Sequence, residues 1–157
     1  MPRLSKNDTP CTGGADEYLD LLLTEILPKA EELIGGTPSF IGIVGYSLAG
    51  LFALYAAYRC DAFDRVASMS GSLWFPDFKE YALTHEMRKR PAKLYLSLGD
   101  REARTRNSVL MIVQRNTEEL VDHYKSLGLD VTWELNPGNH FMDAALRSAK
   151  GIRAILE

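Results

Sequence analysis

One serine of this chain stands in a pattern that is typical of a reactive hydroxyl. Ser47 lies two residues after Gly45 and is followed at once by Leu48-Ala49-Gly50. An apolar run precedes this segment, and residues 51–58 continue as an apolar helical pattern. A strand, a tight turn and a helix in this order lift a serine hydroxyl above a sheet, near the positive end of the helix. The pattern predicts that Ser47 is a catalytic nucleophile.

A glycine-rich turn between a strand and a helix is also found in nucleotide and phosphate sites. A dinucleotide fingerprint needs Gly-x-Gly-x-x-Gly, and a phosphate loop ends in Gly-Lys-Ser or Gly-Lys-Thr. Neither pattern surrounds Ser47. The nucleophile is therefore the favoured interpretation of this turn.

A serine nucleophile needs a general base, and the chain has three histidines. His85 lies in a charged helical segment and His123 stands beside Asp122, so both are interpreted as surface residues. His140 follows the fourth predicted strand, in the loop Asn-Pro-Gly-Asn-His, and functional groups of parallel sheets lie just beyond the carboxyl ends of strands. A turn or helix-capping role is the alternative, but His140 is the predicted base.

The acid that orients the base is expected after the third predicted strand. The loop there begins at Gly99 and offers Asp100 and Glu102. Three arginines in the same loop favour an ion pair with one of these two carboxylates. A merely solvated charged loop is the alternative interpretation, and Asp130 is a weaker candidate because it opens a strand. Spacing alone does not separate Asp100 from Glu102.

Two backbone N–H groups are needed to bind an oxyanion. The residue after the nucleophile, Leu48, is predicted to supply one, and a loop after an earlier strand normally supplies the other. No strand is predicted before Phe40, so the second donor has no place in this chain. Tyr46 and Trp74 are predicted to contact substrate, although Trp74 lies in an apolar loop for which core packing is an equally good interpretation.

The elements that must hold these residues alternate between strands and helices, which is typical of an α/β protein with a parallel sheet of about four strands. The whole chain, residues 1–157, is predicted to be one domain. The predicted strands are Phe40–Val44, Val66–Ser70, Lys93–Leu98 and Val131–Leu135. The predicted helices are Ala15–Leu33 with a kink at Pro28, Leu48–Cys60, Asp77–Lys89, Asn107–Leu127 and Ala144–Leu156.

Composition excludes several classes of protein. A net charge of −3 with interspersed signs argues against a nucleic-acid partner. No apolar run is long enough for a membrane span, and the first residues lack the layout of a signal peptide. The two cysteines, Cys11 and Cys60, have no metal-like spacing. The expectation is a cytoplasmic enzyme with no metal, no cofactor and no membrane partner.

Together, the serine turn, the acid loop and the histidine loop resemble the putative-esterase branch of the α/β-hydrolases. That group includes enterochelin and other siderophore esterases, S-formylglutathione hydrolase and feruloyl esterases. The resemblance implies a serine carboxylic-ester hydrolase with a Ser47–His140–acid triad, an acyl-enzyme and a small ester substrate. The family's acid stands three residues past the glycine that ends its strand, which favours Glu102 over Asp100. Ala49 departs from the glycine of many relatives.

The resemblance covers only the C-terminal half of the family domain, which normally begins with further strands. Without them Phe40–Val44 becomes a sheet edge that is apolar on both faces, an arrangement that natural edges avoid. We expect another copy of the chain, as in a homo-oligomer, or a missing segment to cover it. The alternative function is a truncated or non-catalytic homologue without a complete oxyanion hole and pocket. Acyl transfer to an alcohol or thiol is a third possibility.

Overall fold

Four parallel strands form the centre of the fold. The computed structural model describes residues 13–157, so Cys11 lies outside the described residues. The strands stand side by side in chain order and pair in parallel throughout. They are β1 (Gly42–Tyr46), β2 (Arg65–Met69), β3 (Lys93–Gly99) and β4 (Val131–Asn136). The predicted α/β class with about four parallel strands is confirmed, with strand bounds shifted by one or two residues.

Helices cover both faces of this sheet. The first helical segment consists of α1 (Ala15–Leu21), a π-helical turn (Leu22–Ile26) and α2 (Leu27–Ile34). The others are α3 (Leu48–Arg59), α4 (Phe78–Thr84), a 3₁₀ turn (Leu110–Ile112), α5 (Val113–Ser126) and α6 (Ala144–Leu156). Helices α3, α4 and α5 share the larger core, and α6 packs on the opposite face against β2 and β3.

The core follows from the alternation of side chains along the strands. Val66 and Leu96 point toward Leu54 of α3, whereas Met69 and Tyr95 point toward α6. Each of these side chains is almost fully buried. The sheet is therefore apolar on both faces, as expected of a parallel sheet covered by helices on both sides.

Three predicted helices differ from the observed ones. The first, predicted as one helix with a kink at Pro28, contains a π-helical turn that ends at Ile26, two residues before Pro28. Proline has no N–H to donate to the preceding turn, which favours such an irregularity. The helix predicted over Asp77–Lys89 ends at Thr84, since His85 adopts an extended backbone. The helix predicted from Asn107 begins only at Val113. The Asn107 side chain accepts the N–H of Val109 and competes with the helix start.

Strand β1 has one partner among the described residues, which is β2. Val44 on this strand is 40% exposed although it is apolar. Covering of this edge by a second copy stays a prediction. Between residues 13 and 157, the helices are all too short or too polar to cross a membrane.

Candidate active site

The turn between β1 and α3 holds Ser47 in a conformation that few residues adopt. Its backbone has φ 60° and ψ −122°, outside the regions favoured by residues with a side chain. The Ser47 N–H donates to the Met69 carbonyl over 3.0 Å. A Cβ on Gly45 would lie 2.0 Å from the Ala49 carbonyl oxygen, so only glycine allows strand and helix to approach this closely. The strained turn presents the Ser47 hydroxyl at the carboxyl edge of the sheet.

His140 reaches this hydroxyl from the loop between β4 and α6. Its Nε2 lies 3.0 Å from Ser47 Oγ, and its Nδ1 lies 2.7 Å from Glu102 Oε2. Three residues from three loops therefore form one continuous hydrogen-bonded chain. The two contacts are compatible with a neutral imidazole that carries its proton on Nδ1, donates to the carboxylate and accepts the serine proton.

The carboxylate of Glu102 is held from several directions. Its side chain is 4% exposed. Oε1 accepts hydrogen bonds from Ser70 Oγ over 2.7 Å, the Gly99 N–H over 2.7 Å and Arg147 Nη1 over 3.0 Å. Burial raises the pKa of Glu102, but the hydrogen bonds from His140, Ser70 and Gly99 outweigh it, so the pKa lies below its usual value. Glu102 is ionised at neutral pH and fixed in orientation.

Asp100, the other candidate acid, makes a different contact. Its Oδ1 accepts the N–H of Gly138 over 2.7 Å, and its charge lies 3.8 Å from that of Arg101. The structure thus corrects the prediction that left Asp100 beside Glu102 as a partner of the imidazole, because this carboxylate faces the backbone of the histidine loop. The weaker candidate Asp130 lies before β4, at the opposite end of the strand from the histidine loop.

The backbone N–H of Leu48 is the predicted first oxyanion donor. Leu48 is the first residue of α3, so its N–H has no acceptor within the helix. It lines the same cavity as Ser47. No strand precedes β1 among the described residues, so residues 13–157 do not include a loop equivalent to the one that normally gives the second donor. The Ser72 hydroxyl is 3.5 Å from Ser47 Oγ, on the same side as the cavity.

A cavity of about 340 Å³ opens at Ser47 and His140. Its walls are mainly apolar and are formed by Trp74, Leu110, Val113 and Phe141. Trp74 therefore lies where a substrate contact was predicted, although it is also 92% removed from solvent. Phe141 stands at the rim and is 87% exposed.

Tyr46, the other residue predicted to contact substrate, lies outside the cavity. Its hydroxyl donates to the backbone carbonyl of His140 over 2.7 Å, and the two rings lie 5.5 Å apart. Tyr46 is not among the residues that line the cavity. The alternation of side chains along β1 turns Tyr46 toward the α6 face, so the predicted substrate contact of Tyr46 stays a prediction. Tyr46 supports the histidine loop.

Two residues of the site were missed by the sequence analysis. Ser70 follows β2 with φ 47° and donates to Glu102. Arg147 on α6 is 1% exposed and donates to the same carboxylate. A signal for Arg147 does exist in the sequence, because it stands four and eight residues before Gly151 and Ile155, which are the buried positions of α6. A charged residue on the buried face of a helix needs a partner.

Metal ligands do not assemble in the part of the chain that the structure describes. No three side chains among its His, Cys, Asp and Glu residues come together as a group that could hold an ion.

Comparison with known families identifies the group to which this site belongs. The family model described as "Putative esterase" matches residues 3–140. Among curated proteins, the uncharacterized protein YbbA of Bacillus subtilis (strain 168) is 27% identical over 128 residues, which are 80% of this chain and 51% of that protein. The chain thus spans about half the length of this relative.

Solved structures share the fold. Siderophore hydrolase EstB from Aspergillus nidulans superposes with a TM-score of 0.76 at 24% identity, over 94% of this chain and 60% of that one. An IroE-like serine hydrolase from Shewanella oneidensis superposes with a TM-score of 0.72 at 23% identity, over 90% of this chain and 48% of that one. The enterobactin esterase FES from Shigella flexneri superposes with a TM-score of 0.69 at 20% identity, over 90% of this chain and 38% of that one.

Proposed function

The chain belongs to the putative-esterase family, and on that basis we propose that it hydrolyses carboxylic esters through an acyl-enzyme. The observation that carries the proposal is the hydrogen-bonded chain from Ser47 Oγ through His140 to Glu102, with contacts of 3.0 Å and 2.7 Å. A nucleophile, a base and an orienting acid in contact are the elements of serine acyl transfer. The strained turn at Ser47 adds independent support.

In the proposed acylation, His140 Nε2 removes the proton of Ser47 while Oγ attacks the ester carbonyl carbon. The carbonyl π electrons move to oxygen, and the oxyanion accepts a hydrogen bond from the Leu48 N–H. The imidazolium that forms is stabilised by ionised Glu102. The tetrahedral intermediate then collapses, the C–O bond to the alcohol breaks, and His140 gives its proton to the leaving oxygen.

Deacylation repeats these steps with water as the nucleophile. His140 removes a proton from a water molecule, the hydroxide oxygen attacks the acyl carbon, and the bond to Ser47 Oγ breaks. The same proton then returns to Oγ. The carboxylic acid leaves, and Ser47 and His140 regain their starting states, so no metal or redox cofactor enters the balance.

The cavity supports a small ester as the substrate. Trp74, Leu110 and Val113 form an apolar wall within a volume of about 340 Å³, which suits a short acyl or aryl group. The proteins that share this fold include a siderophore hydrolase and an enterobactin esterase. Esters of small carboxylic acids are the corresponding proposal here.

Fluorophosphonate labelling tests this function directly. The purified chain is treated with the probe beside Ser47→Ala and beside Ser39→Ala. Ser39 is an exposed serine that precedes β1, at the opposite end of that strand from Ser47, and serves as a matched control. Mass spectrometry is expected to locate the adduct on Ser47 in the wild type and in Ser39→Ala, and to find none in Ser47→Ala. A folded wild type, verified by circular dichroism, that takes up no label would overturn the proposal.

A further inference from the structure

Arg147 is the most deeply buried charged side chain near the site. It projects from the first turn of α6 and is 1% exposed. Nη1 donates to Glu102 Oε1 over 3.0 Å and to Ser70 Oγ over 3.2 Å, and Nη2 donates to the Pro137 carbonyl over 2.9 Å. One guanidinium thus contacts the acid and the loop that carries His140. Arg147 also lies beyond residues 3–140, the range that the family model matches.

We propose that Arg147 is a positioning residue, which holds the Glu102 carboxylate and the histidine loop in the mutual orientation that catalysis requires. The inference rests on the proposed ester hydrolysis. Arg147 does not line the cavity, and its hydrogen bonds go to Glu102, Ser70 and Pro137 rather than to Ser47 or the imidazole of His140. Its effect on the reaction is therefore indirect, through Glu102.

The two-sided contact supports this role. The acid loop leaves β3 at Gly99 and the histidine loop leaves β4 at Asn136, and these two residues are partners in the sheet. Beyond that pair, the Asp100 N–H donates to the Asn136 carbonyl over 2.8 Å and the Arg101 N–H to the Gly138 carbonyl over 3.1 Å, but these backbone contacts do not hold the Glu102 carboxylate itself. Arg147 joins the two loops through planar, directional donors, which constrain orientation better than a single point charge does. The Asp100 carboxylate adds a further contact between the two loops by accepting the Gly138 N–H.

The way in which Arg147 is buried argues that its main contribution is not stability. Its Nε is buried and has no hydrogen-bond partner, and such an unsatisfied donor carries a desolvation cost. A buried ion pair is often no more stabilising than apolar side chains of the same size. Positioning of Glu102 accounts for a charge at this place better than the energy of folding does.

The charge of Arg147 also has a consequence for protonation. The guanidinium offsets part of the negative charge of Glu102, and that charge favours the protonated imidazole of His140. Other groups facing this pair are the hydroxyls of Ser47 and Ser70 and the phenol ring of Tyr46, which lies 5.5 Å from the imidazole ring. Asp100 and Arg101 form a neighbouring pair on the acid loop, outside direct contact with the imidazole. Removal of Arg147 should therefore ease protonation of the imidazole and move its titration to higher pH.

Five variants of the full chain test the inference, and one of them is Glu102→Gln, the background for the double variant. Arg147→Met removes the charge, and Arg147→Lys keeps the charge but loses the fork of donors. Glu102→Gln/Arg147→Met removes both charges and leaves no buried ion unpaired, so it remains measurable where the single variant folds poorly. Arg153→Met on the exposed face of the same helix is the matched control.

Three measurements are made on each variant: kcat and KM for a p-nitrophenyl ester, the pH profile of kcat/KM, and the titration of His140 by NMR. The His140 signal is assigned by its absence in His140→Gln. Arg147→Met is expected to lower kcat by about 10²-fold with little change in KM, as for a misplaced catalytic group. Its acidic limb and NMR midpoint should move to higher pH. The kcat and the NMR midpoint of Arg147→Lys should lie between those of Arg147→Met and the wild type. Arg153→Met should match the wild type in both.

The Glu102→Gln background decides between positioning and a merely structural role. If Arg147 acts through Glu102, adding Arg147→Met to Glu102→Gln costs little further activity. Equal losses in both backgrounds, with an unmoved NMR midpoint, would overturn the inference. An inactive, unlabelled wild type would instead defeat the proposed function, while the NMR midpoint of Arg147→Met would still test the coupling of Arg147 to His140.

Discussion

The two sides of the Ser47 hydroxyl are built very differently. On the acid–base side, His140 and Glu102 form a chain of short hydrogen bonds, and the carboxylate has donors on both oxygens. On the oxyanion side, one backbone N–H, that of Leu48, is in place among residues 13–157. Proton transfer therefore depends on β3, β4 and α6, all within the described chain, whereas charge stabilisation depends on a loop position that these residues do not fill.

The largest difference is expected between the two carboxylates of the acid loop. Glu102→Gln should lower kcat by about 10⁴-fold, because an amide neither stabilises the imidazolium nor favours the productive tautomer. Asp100→Asn should cost about tenfold or less, since its amide oxygen can still accept the Gly138 N–H. Steady-state kinetics with a p-nitrophenyl ester measure both losses. Equal losses would mean that Asp100 shares the role of the acid.

The oxyanion side is tested by varying the leaving group at a constant acyl group. With a single donor, the rate should depend strongly on the intrinsic reactivity of the ester. A missing donor typically costs about 10²–10³ in kcat. We expect kcat/KM for ethyl acetate to lie at least about 10²-fold below that for p-nitrophenyl acetate, with Ser47→Ala as the blank. Similar values for the two esters would show that charge stabilisation is as complete as proton transfer.

The turn that carries Ser47 belongs to both the acid–base side and the oxyanion side, and a single added methyl group can disturb it. Gly45→Ala places a Cβ against the Ala49 carbonyl and should destabilise the fold by about 1–3 kcal/mol through overpacking. Gly36→Ala is the matched control, because a Cβ there meets open space and the backbone does not require glycine. Urea unfolding measures both variants. An unchanged midpoint for Gly45→Ala would mean that the turn relaxes without cost.

The smallest effect concerns acid stability. The pKa of Glu102 lies below its usual value in the folded chain, so its contribution to stability is complete above the unfolded value of 4.5 and is lost as pH falls through the folded value. The difference in Tm between the wild type and Glu102→Gln should therefore shrink between neutral and strongly acidic pH. A difference that stays constant would mean that the carboxylate has the same pKa in both states.

Sequence patterns predicted the parts of the site that depend on neighbouring residues. Ser47 follows from a strand, a turn and a helix that are contiguous, and His140 from a loop after a strand. Asp100 and Glu102 could not be separated, because the two residues share one loop and only their orientation differs. Arg147 was missed since its partners lie 10, 45 and 77 positions earlier in the chain. Contacts over that distance are set by packing rather than by local pattern.

The fold could be predicted for a similar reason, and the errors in the predicted helix bounds have a physical cause. Hydrophobic runs placed every strand within two residues, because a buried parallel strand is marked by its own side chains. Helix ends were less certain where polar groups compete for the backbone, as at Asn107, or where proline removes a donor, as at Pro28. β1 is an edge strand among the described residues, and its covering by a second copy stays a prediction that light scattering can test.

The register of β3 and β4 has a consequence for how this protein can change. Gly99 and Asn136 are opposite each other, so the acid and the base leave the sheet at the same level although 38 residues separate them. The crossover between them, which includes α5 and the exposed turn at Gly128, sets the distance along the chain but not the distance in space. Insertions or a circular permutation at that turn should leave the alignment of the reacting groups intact. A shift of one strand by a single residue would destroy it.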